Sequence, residues 1–293
     1  MNLLVFLFIY PFIWFVSRLN FKQLYFFSDF FYYILYYVIR YRRKVVRDNL
    51  ILAFPKKTKN DILFIEKKYY RNLSDVFLES LKSMNIKEEE IKKRFHFTNP
   101  NILEKVYDSG KNLIIMGSHY CTWEWCFIMD RVTRFKINGI YKKISNPYFD
   151  KWAKKIRSKY DCELITTKES YRKITKQSKD KKLHLYGFAS DQSPSKKKAT
   201  YWNKFLNVTV PIHIGAEIIA KKFNMPMLFM DVIKVKRGFY EATFKEITYN
   251  PKKFQNFELT DIFIKMVEEQ IHRKPEFYTW THRRFKHRKE ITL

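Results

Sequence analysis

Asn112-Leu113-Ile114-Ile115-Met116-Gly117 runs directly into Ser118-His119-Tyr120-Cys121-Thr122-Trp123-Glu124. The first six residues read as a short buried strand, because the apolar run is too brief for a helix and shows no polar alternation. A histidine just past such a strand, with a glutamate four residues further on, is a common way to build a general-base site. The spacing lets the carboxylate fold back and hold the imidazole in one tautomer.

The same texture continues outward. Short apolar runs at 138–142, 162–166, 183–189 and 226–234 predict strands, and amphipathic stretches at 121–133, 147–160, 168–179 and 211–223 predict helices between them. That alternation argues an α/β sandwich with a mixed, largely parallel sheet. Lys236-Arg237-Gly238 turns the 226–234 strand into an antiparallel partner at 239–247, and a last helix is expected at about 260–273. Upstream, Ile62, Ile65, Tyr69, Leu73, Phe77 and Leu81 fall at helical spacing and predict a helix over 58–83. Neither GxGxxG nor GxxxxGK occurs, so no nucleotide-binding phosphate loop is expected.

Residues 1–17 carry no charged side chain, and Arg18 is the first charge. A second aromatic-rich run, Leu24 to Ile39, is broken only by Asp29. It ends in Arg40-Tyr41-Arg42-Arg43-Lys44, followed by Arg47. Aromatic and basic residues at the end of an apolar segment favour the membrane interface on its cytoplasmic side. Residues 1–45 are therefore expected to form N-terminal membrane-anchoring helices, one spanning or deeply embedded and one interfacial. Residues 46–293 would form the catalytic domain, with 46–110 as a helical lead-in.

The chain has 293 residues, 46% of them apolar, enough for a sizeable core without disulfide staples. Its three cysteines show no CxxC spacing, which speaks against a zinc module. Cys121 reads as a small apolar filler, and no metal ligand set is expected from His119, Cys121 and Cys126. With 57 basic and 29 acidic side chains the net charge is +28, so a polyanionic partner is expected. An anionic membrane or an acidic carrier protein fits better than nucleic acid, because Phe285 alone interleaves the basic tail His282-Arg283-Arg284-Phe285-Lys286-His287-Arg288-Lys289. Arg283 and Arg284 are the expected contacts to lipid phosphate. Asp191-Gln192, at the end of the 183–189 run, is a second candidate site loop, and Lys196-Lys197-Lys198 beyond it is either a solvated charge run or a dock for an anionic surface. Glu217, among Ile214, Ile218 and Ile219, is expected to be half-buried and to need a partner such as Lys142 or Arg283.

Several blocks occur in a telling order. Gly117-Ser118-His119 with Trp123-Glu124-Trp125 resembles the histidine-four-residues-acid motif of glycerolipid acyltransferases, in the branch of the bacterial lipid A late acyltransferases. Gly139-Ile140-Tyr141-Lys142-Lys143 with Asn146-Pro147 is similar to that branch's VYRPxxNP block. Ala189-Ser190-Asp191-Gln192 resembles its ADQ block. Phe205-Leu206-Asn207 through Pro211 and Gly215 resembles its FFG…TPxG block, and Trp280 through Lys286 its HRRFK block. The arginine after the tyrosine is Lys142 here, and Leu206 and Asn207 stand where the family has Phe and Gly.

The resemblance implies an O-acyltransferase that works without a covalent intermediate, metal or resident cofactor. His119 would be the base and Glu124 its orienting acid, with Tyr141, Lys142, Asp191, Gln192, Glu217, Arg283 and Arg284 around the substrates. The implied donor is acyl-acyl carrier protein or acyl-CoA, and the implied acceptor a lipid A precursor at the cytoplasmic face of the bacterial inner membrane. The rival readings are acylation of another lysolipid, lysophosphatidic acid or a lyso-aminolipid, and a basic membrane-bound binding protein without catalysis. The enzyme reading expects a hydrophobic groove ending at His119 with the basic tail at its mouth.

Overall fold

Residues 2–289 are described by a computed structural model, apart from the side chain of Lys198. The chain opens with four helices, α1 (Asn2–Arg18), α2 (Phe21–Tyr33, extended by a π turn), α3 (Arg43–Ala53) and α4 (Lys59–Lys82). Helix α5 (Glu88–Arg94), strand β1 (Phe95–Phe97) and helix α6 (Asn101–Asp108) lead to β2 (Leu113–Gly117). Then come β3 (Lys136–Tyr141), α7 (Pro147–Arg157), β4 (Glu163–Thr166), α8 (Ser170–Gln177) and β5 (His184–Ala189). A small hairpin of β6 (Trp202–Phe205) and β7 (Val208–Pro211) precedes α9 (Gly215–Phe223), β8 (Met227–Lys236), β9 (Phe239–Thr248) and α10 (Glu258–Arg273).

Seven strands form one sheet in the order β1-β9-β8-β2-β5-β3-β4. The run from β8 to β4 is parallel, and β9 is antiparallel to β8. The α/β fold with a mixed, mostly parallel sheet agrees with the sequence pattern. Central β2 is buried at Leu113, Ile114, Ile115 and Met116, as a strand covered on both faces must be.

Local chemistry fixes the element starts. Asn20 and Gln23 form a reciprocal capping box on α2, Thr58 and Asp61 one on α4, and Asn146 caps α7 with Pro147 at its first position. The β8–β9 turn needs Gly238, at φ +75°, where an added Cβ would collide with the Tyr25 hydroxyl. Helix α2 therefore presses on this hairpin, and polar bonds lock it there. Arg237 bridges Asp29 and Asp75, Ser28 bonds Asp75, and Tyr25 and Tyr240 both donate to buried Glu79.

The N-terminal segment departs from expectation. Among the described residues no helix is long and apolar enough to cross a membrane. Helix α1 has 17 residues and packs Ile13 and Val16 against Leu78 and Leu81 of α4. Its outer face and that of α2 are nonetheless apolar and open, with Leu4 71%, Phe8 87%, Phe26 73% and Phe30 61% exposed. Two helices also differ from the sequence reading. The segment expected as a helix at 121–133 is a 3₁₀ stretch, Glu124–Val132, and the helix expected from 211 begins only at Gly215, after β7.

Candidate active site

Strands β2 and β5 lie side by side and parallel, with Gly117 opposite Ala189. Two residues beyond those paired ends stand His119 and Asp191. The register alone therefore brings together groups 72 positions apart, at the carboxyl edge of the sheet where α/β folds place their sites. The His119 Nδ1–Asp191 Oδ1 distance is 2.7 Å. The carboxylate is fully buried, while the imidazole keeps 25% of its side chain open. A carboxylate on Nδ1 demands the proton there and leaves the Nε2 lone pair for chemistry.

Burial works against charge on both groups, and their mutual attraction outweighs it. For His119 burial lowers the pKa, but the Asp191 charge and hydrogen bond raise it above the ordinary histidine value overall. For Asp191 burial raises the pKa, but His119 pulls it below the ordinary carboxylate value. The pair is thus poised to carry an imidazolium beside a carboxylate.

Glu124 occupies a different place from the one its spacing suggested. Its carboxylate accepts from Arg157 of α7, with Nε at 2.9 Å and Nη2 on the other oxygen, and from the Trp123 indole at 3.1 Å. Trp123 lies edge-on to the His119 ring, centroids 5.5 Å apart. The acid that bonds the imidazole is therefore Asp191, and Glu124 acts on His119 as a nearby charge rather than through a hydrogen bond to Nδ1. The cause is local backbone. Cys121 turns at φ +54° and the following 3₁₀ stretch aims Glu124 at α7. Burial pushes the Cys121 thiol far above its ordinary range, which suits its reading as filler.

The histidine loop is strapped by the C-terminal segment. Thr279 donates to the His119 carbonyl through its amide and its hydroxyl, and the Cys121 amide donates to the Phe277 carbonyl. Ser118 donates to Gln270 of α10, which in turn donates to buried Asp231. The strap itself is held by Asn49, whose amide reaches the Trp280 and His282 carbonyls. His282 accepts the Ser193 amide at Nε2, and burial drives its pKa down to about 4, so it is neutral near pH 7.

The other expected residues divide. Lys142 is exposed, one residue past β3, the neighbour of β5. Tyr141 is buried, and its hydroxyl bonds Asp150 at 3.4 Å. Gln192 is half-buried beside Asp191, and Arg283 is exposed. Arg284 is not available to a lipid phosphate, because it is only 1% exposed. Glu217 is buried away from the histidine loop, and its partners are neither Lys142 nor Arg283. It accepts the Phe257 and Thr260 amides and the Thr260 hydroxyl at the start of α10, with Lys221 as counter-ion at 2.8 Å. Among the described residues no cluster of metal-ligating side chains occurs. Two clefts, one at the α1–α2 turn lined by Lys22, Lys82 and Arg94 and one by Lys105 and Tyr249, do not include His119.

The histidine and Asp191 blocks of the sequence thus meet at one sheet edge, with the C-terminal segment strapped across the histidine loop. The sequence pattern of the family described as "Bacterial lipid A biosynthesis acyltransferase" matches residues 2–287. The chain belongs to that family. It is similar to the lipid A biosynthesis palmitoleoyltransferase of Escherichia coli (strain K12), 22% identical over 254 residues that cover 85% of this chain and 80% of that protein. The lipid A biosynthesis acyltransferase of Shigella flexneri is equally similar, with the same identity and coverage. Membership makes the chain an acyltransferase of lipid A biosynthesis, and gives the His119–Asp191 pair a reaction class to be read against.

Proposed function

We propose that this lipid A family acyltransferase moves a fatty acyl chain from a thioester, on acyl carrier protein or coenzyme A, to a hydroxyl of a lipid A precursor at the cytoplasmic face of the inner membrane. The observation that carries the mechanism is the 2.7 Å bond between His119 Nδ1 and Asp191. Nε2 takes the proton of the acceptor hydroxyl as its oxygen attacks the thioester carbonyl. Asp191 stabilises the imidazolium as it forms. The new C–O bond stays, the C–S bond breaks, and the imidazolium returns its proton to the leaving thiolate. The products are an ester and a free thiol, with no acyl-enzyme and no metal required. Glu124 and its partner Arg157 act on the ring as opposed charges, the carboxylate favouring and the guanidinium disfavouring the imidazolium.

Membrane contact is supported by the open apolar faces of α1 and α2, which would lie in the interface rather than cross the bilayer. Exposed Arg40 and Lys44 follow those helices and would meet anionic headgroups, whereas Arg42 and Arg43 are tied inward to Thr281 and Glu66. Exposed Lys142 and Arg283 are the cations left near the loop ends for a phosphorylated acceptor or an acidic donor.

Purified protein is incubated with acyl-acyl carrier protein or acyl-CoA and, separately, a lipid A precursor or lysophosphatidic acid, and products are followed by mass spectrometry. A mass increase of one acyl chain on the lipid A precursor, reduced on the order of 10²-fold or more by His119→Ala, is expected. Acylation of lysophosphatidic acid alone would reassign the acceptor. Transfer unaffected by His119→Ala would overturn the mechanism.

A further inference from the structure

Arg284 is the most heavily buried cation of the basic tail, and its surroundings are unusual. Its side chain lies on the face of Phe205, 4.6 Å from the ring centroid, and Nη1 donates to the Ser193 hydroxyl at 3.1 Å and the Pro211 carbonyl at 3.2 Å. Nε and Nη2 are buried with no hydrogen-bond partner, and so is Oδ2 of Asp191. Three unpaired charged-group atoms in one interior region are costly unless opposite charges compensate one another. Burial is the largest influence on Arg284 and lowers its pKa overall, while the charges of Tyr278 and Asp191 pull the other way, and the hydroxyl of fully buried Tyr278 feels both Asp191 and Arg284. Ser193 ties the two ends together. It stands two residues after Asp191, its hydroxyl donates to the Arg284 carbonyl at 2.6 Å, and its amide donates to His282.

We infer that Arg284 is a positioning residue for the His119–Asp191 pair: its buried guanidinium neutralises Asp191 from behind and, through Ser193, fixes the loop that aims this carboxylate at Nδ1. The inference rests on His119 as the base, but its test reads the imidazole directly and so stands apart from acyl transfer. The arrangement makes Arg284, Asp191 and neutral His119 together electrically neutral. Taking a proton onto His119 then adds one net charge to a largely enclosed site, which keeps the imidazole from being too basic. Remove the cation, and the uncompensated carboxylate holds the imidazole proton more tightly. The other charged or titratable groups facing the ring are Glu124 after the histidine loop, Arg157 of α7 and His282 of the strap. Near Arg284 they are Tyr278 and His282, and Lys286 acts on His282 in turn.

The test is a titration of His119 by NMR on histidine-labelled full-length protein, in wild type, Arg284→Met and Arg284→Lys. Arg284→Met is expected to raise the His119 midpoint by about one unit or more, as loss of a nearby buried charge does. The acid limb of the acyl-transfer rate profile should move up with it. Arg284→Lys, which keeps the charge, should hold the midpoint near wild type while losing the Pro211 or Ser193 contact. A purely structural arginine would leave the midpoint in place in a folded Arg284→Met protein, and that result overturns the inference. Where Arg284→Met does not fold, the double variant Arg284→Met/Asp191→Asn decides. Removal of the stranded carboxylate should restore melting toward wild type, and a double variant as unstable as the single one would refute the pairing.

Discussion

Replacing Asp191 by Asn leaves the shape of the loop and removes one charge. The lost interaction is a charge-assisted bond of 2.7 Å to a fully buried carboxylate. Such a bond contributes about 1.5–3 kcal/mol by itself. The same charge also stabilises the imidazolium that exists only as the acceptor is deprotonated, so the transition state loses more than the ground state. A total of roughly 3–5 kcal/mol corresponds to a kcat lower by about 10²–10⁴-fold. KM should move little, because the interaction is not made with bound substrate. The pH profile should change as well. In the wild type the raised His119 pKa means that activity falls as pH drops through that midpoint, since the base must be neutral. In Asp191→Asn burial is left to dominate, so the acid limb should shift to lower pH. Initial rates of acyl transfer by mass spectrometry, from pH 5 to 9, read both quantities. A correctly folded Asp191→Asn protein with kcat within a few-fold of wild type would refute the role of the pair.

Three further outcomes are expected. Burial pushes fully buried Glu79 up to about 7 from an ordinary 4.5, so its folded form prefers to be neutral. Stability should therefore fall as pH rises from about 4.5 through 7, by up to about 3 kcal/mol, and stay flat above. Urea unfolding of wild type and Glu79→Gln across that range checks this, and an equally steep pH dependence in the variant would contradict it. Phe8→Glu with Phe26→Glu should weaken binding to phosphatidylglycerol vesicles in flotation assays without lowering the melting temperature appreciably, because both side chains are exposed. Undiminished flotation would remove the interfacial role of these helices. Glu217→Ala leaves two amides and a lysine without their partner at the start of α10, and should cost about 1–3 kcal/mol in chemical unfolding while retaining the wild-type pH profile of activity.

Much of the fold is legible in the sequence because the parallel strands are dry on both faces and so read as unbroken apolar runs. Leu113–Gly117, His184–Ala189 and Met227–Lys236 all fall within a few residues of the runs that predict them. The β6–β7 hairpin escaped, since Trp202–Phe205 and Val208–Pro211 are short. Its turn residues Leu206 and Asn207 both take positive φ, and Asn207 was the available signal for a two-residue hairpin. The site divides in the same way. His119 is marked by its place after a strand. The identity of its partner depends on β2 lying beside β5, a neighbourhood that no local pattern encodes. Glu124 is the natural sequence choice, but the left-handed turn at Cys121 and the pull of Arg157 take it elsewhere. Arg157 had no signal of its own within an amphipathic, basic helix. The tail misled through charge. Arg284 sits in a basic run, yet its neighbours Trp280 and Phe285 are buried, and that apolar bracket is the feature that separates it from exposed Arg283.

The most direct test of the His119–Asp191 assignment is the nitrogen NMR spectrum of the His119 ring at a pH where it is neutral. A proton resident on Nδ1 with a bare Nε2 is expected in wild type and in Glu124→Gln, with that preference lost in Asp191→Asn. A ring that keeps its tautomer in Asp191→Asn and loses it in Glu124→Gln would contradict the account.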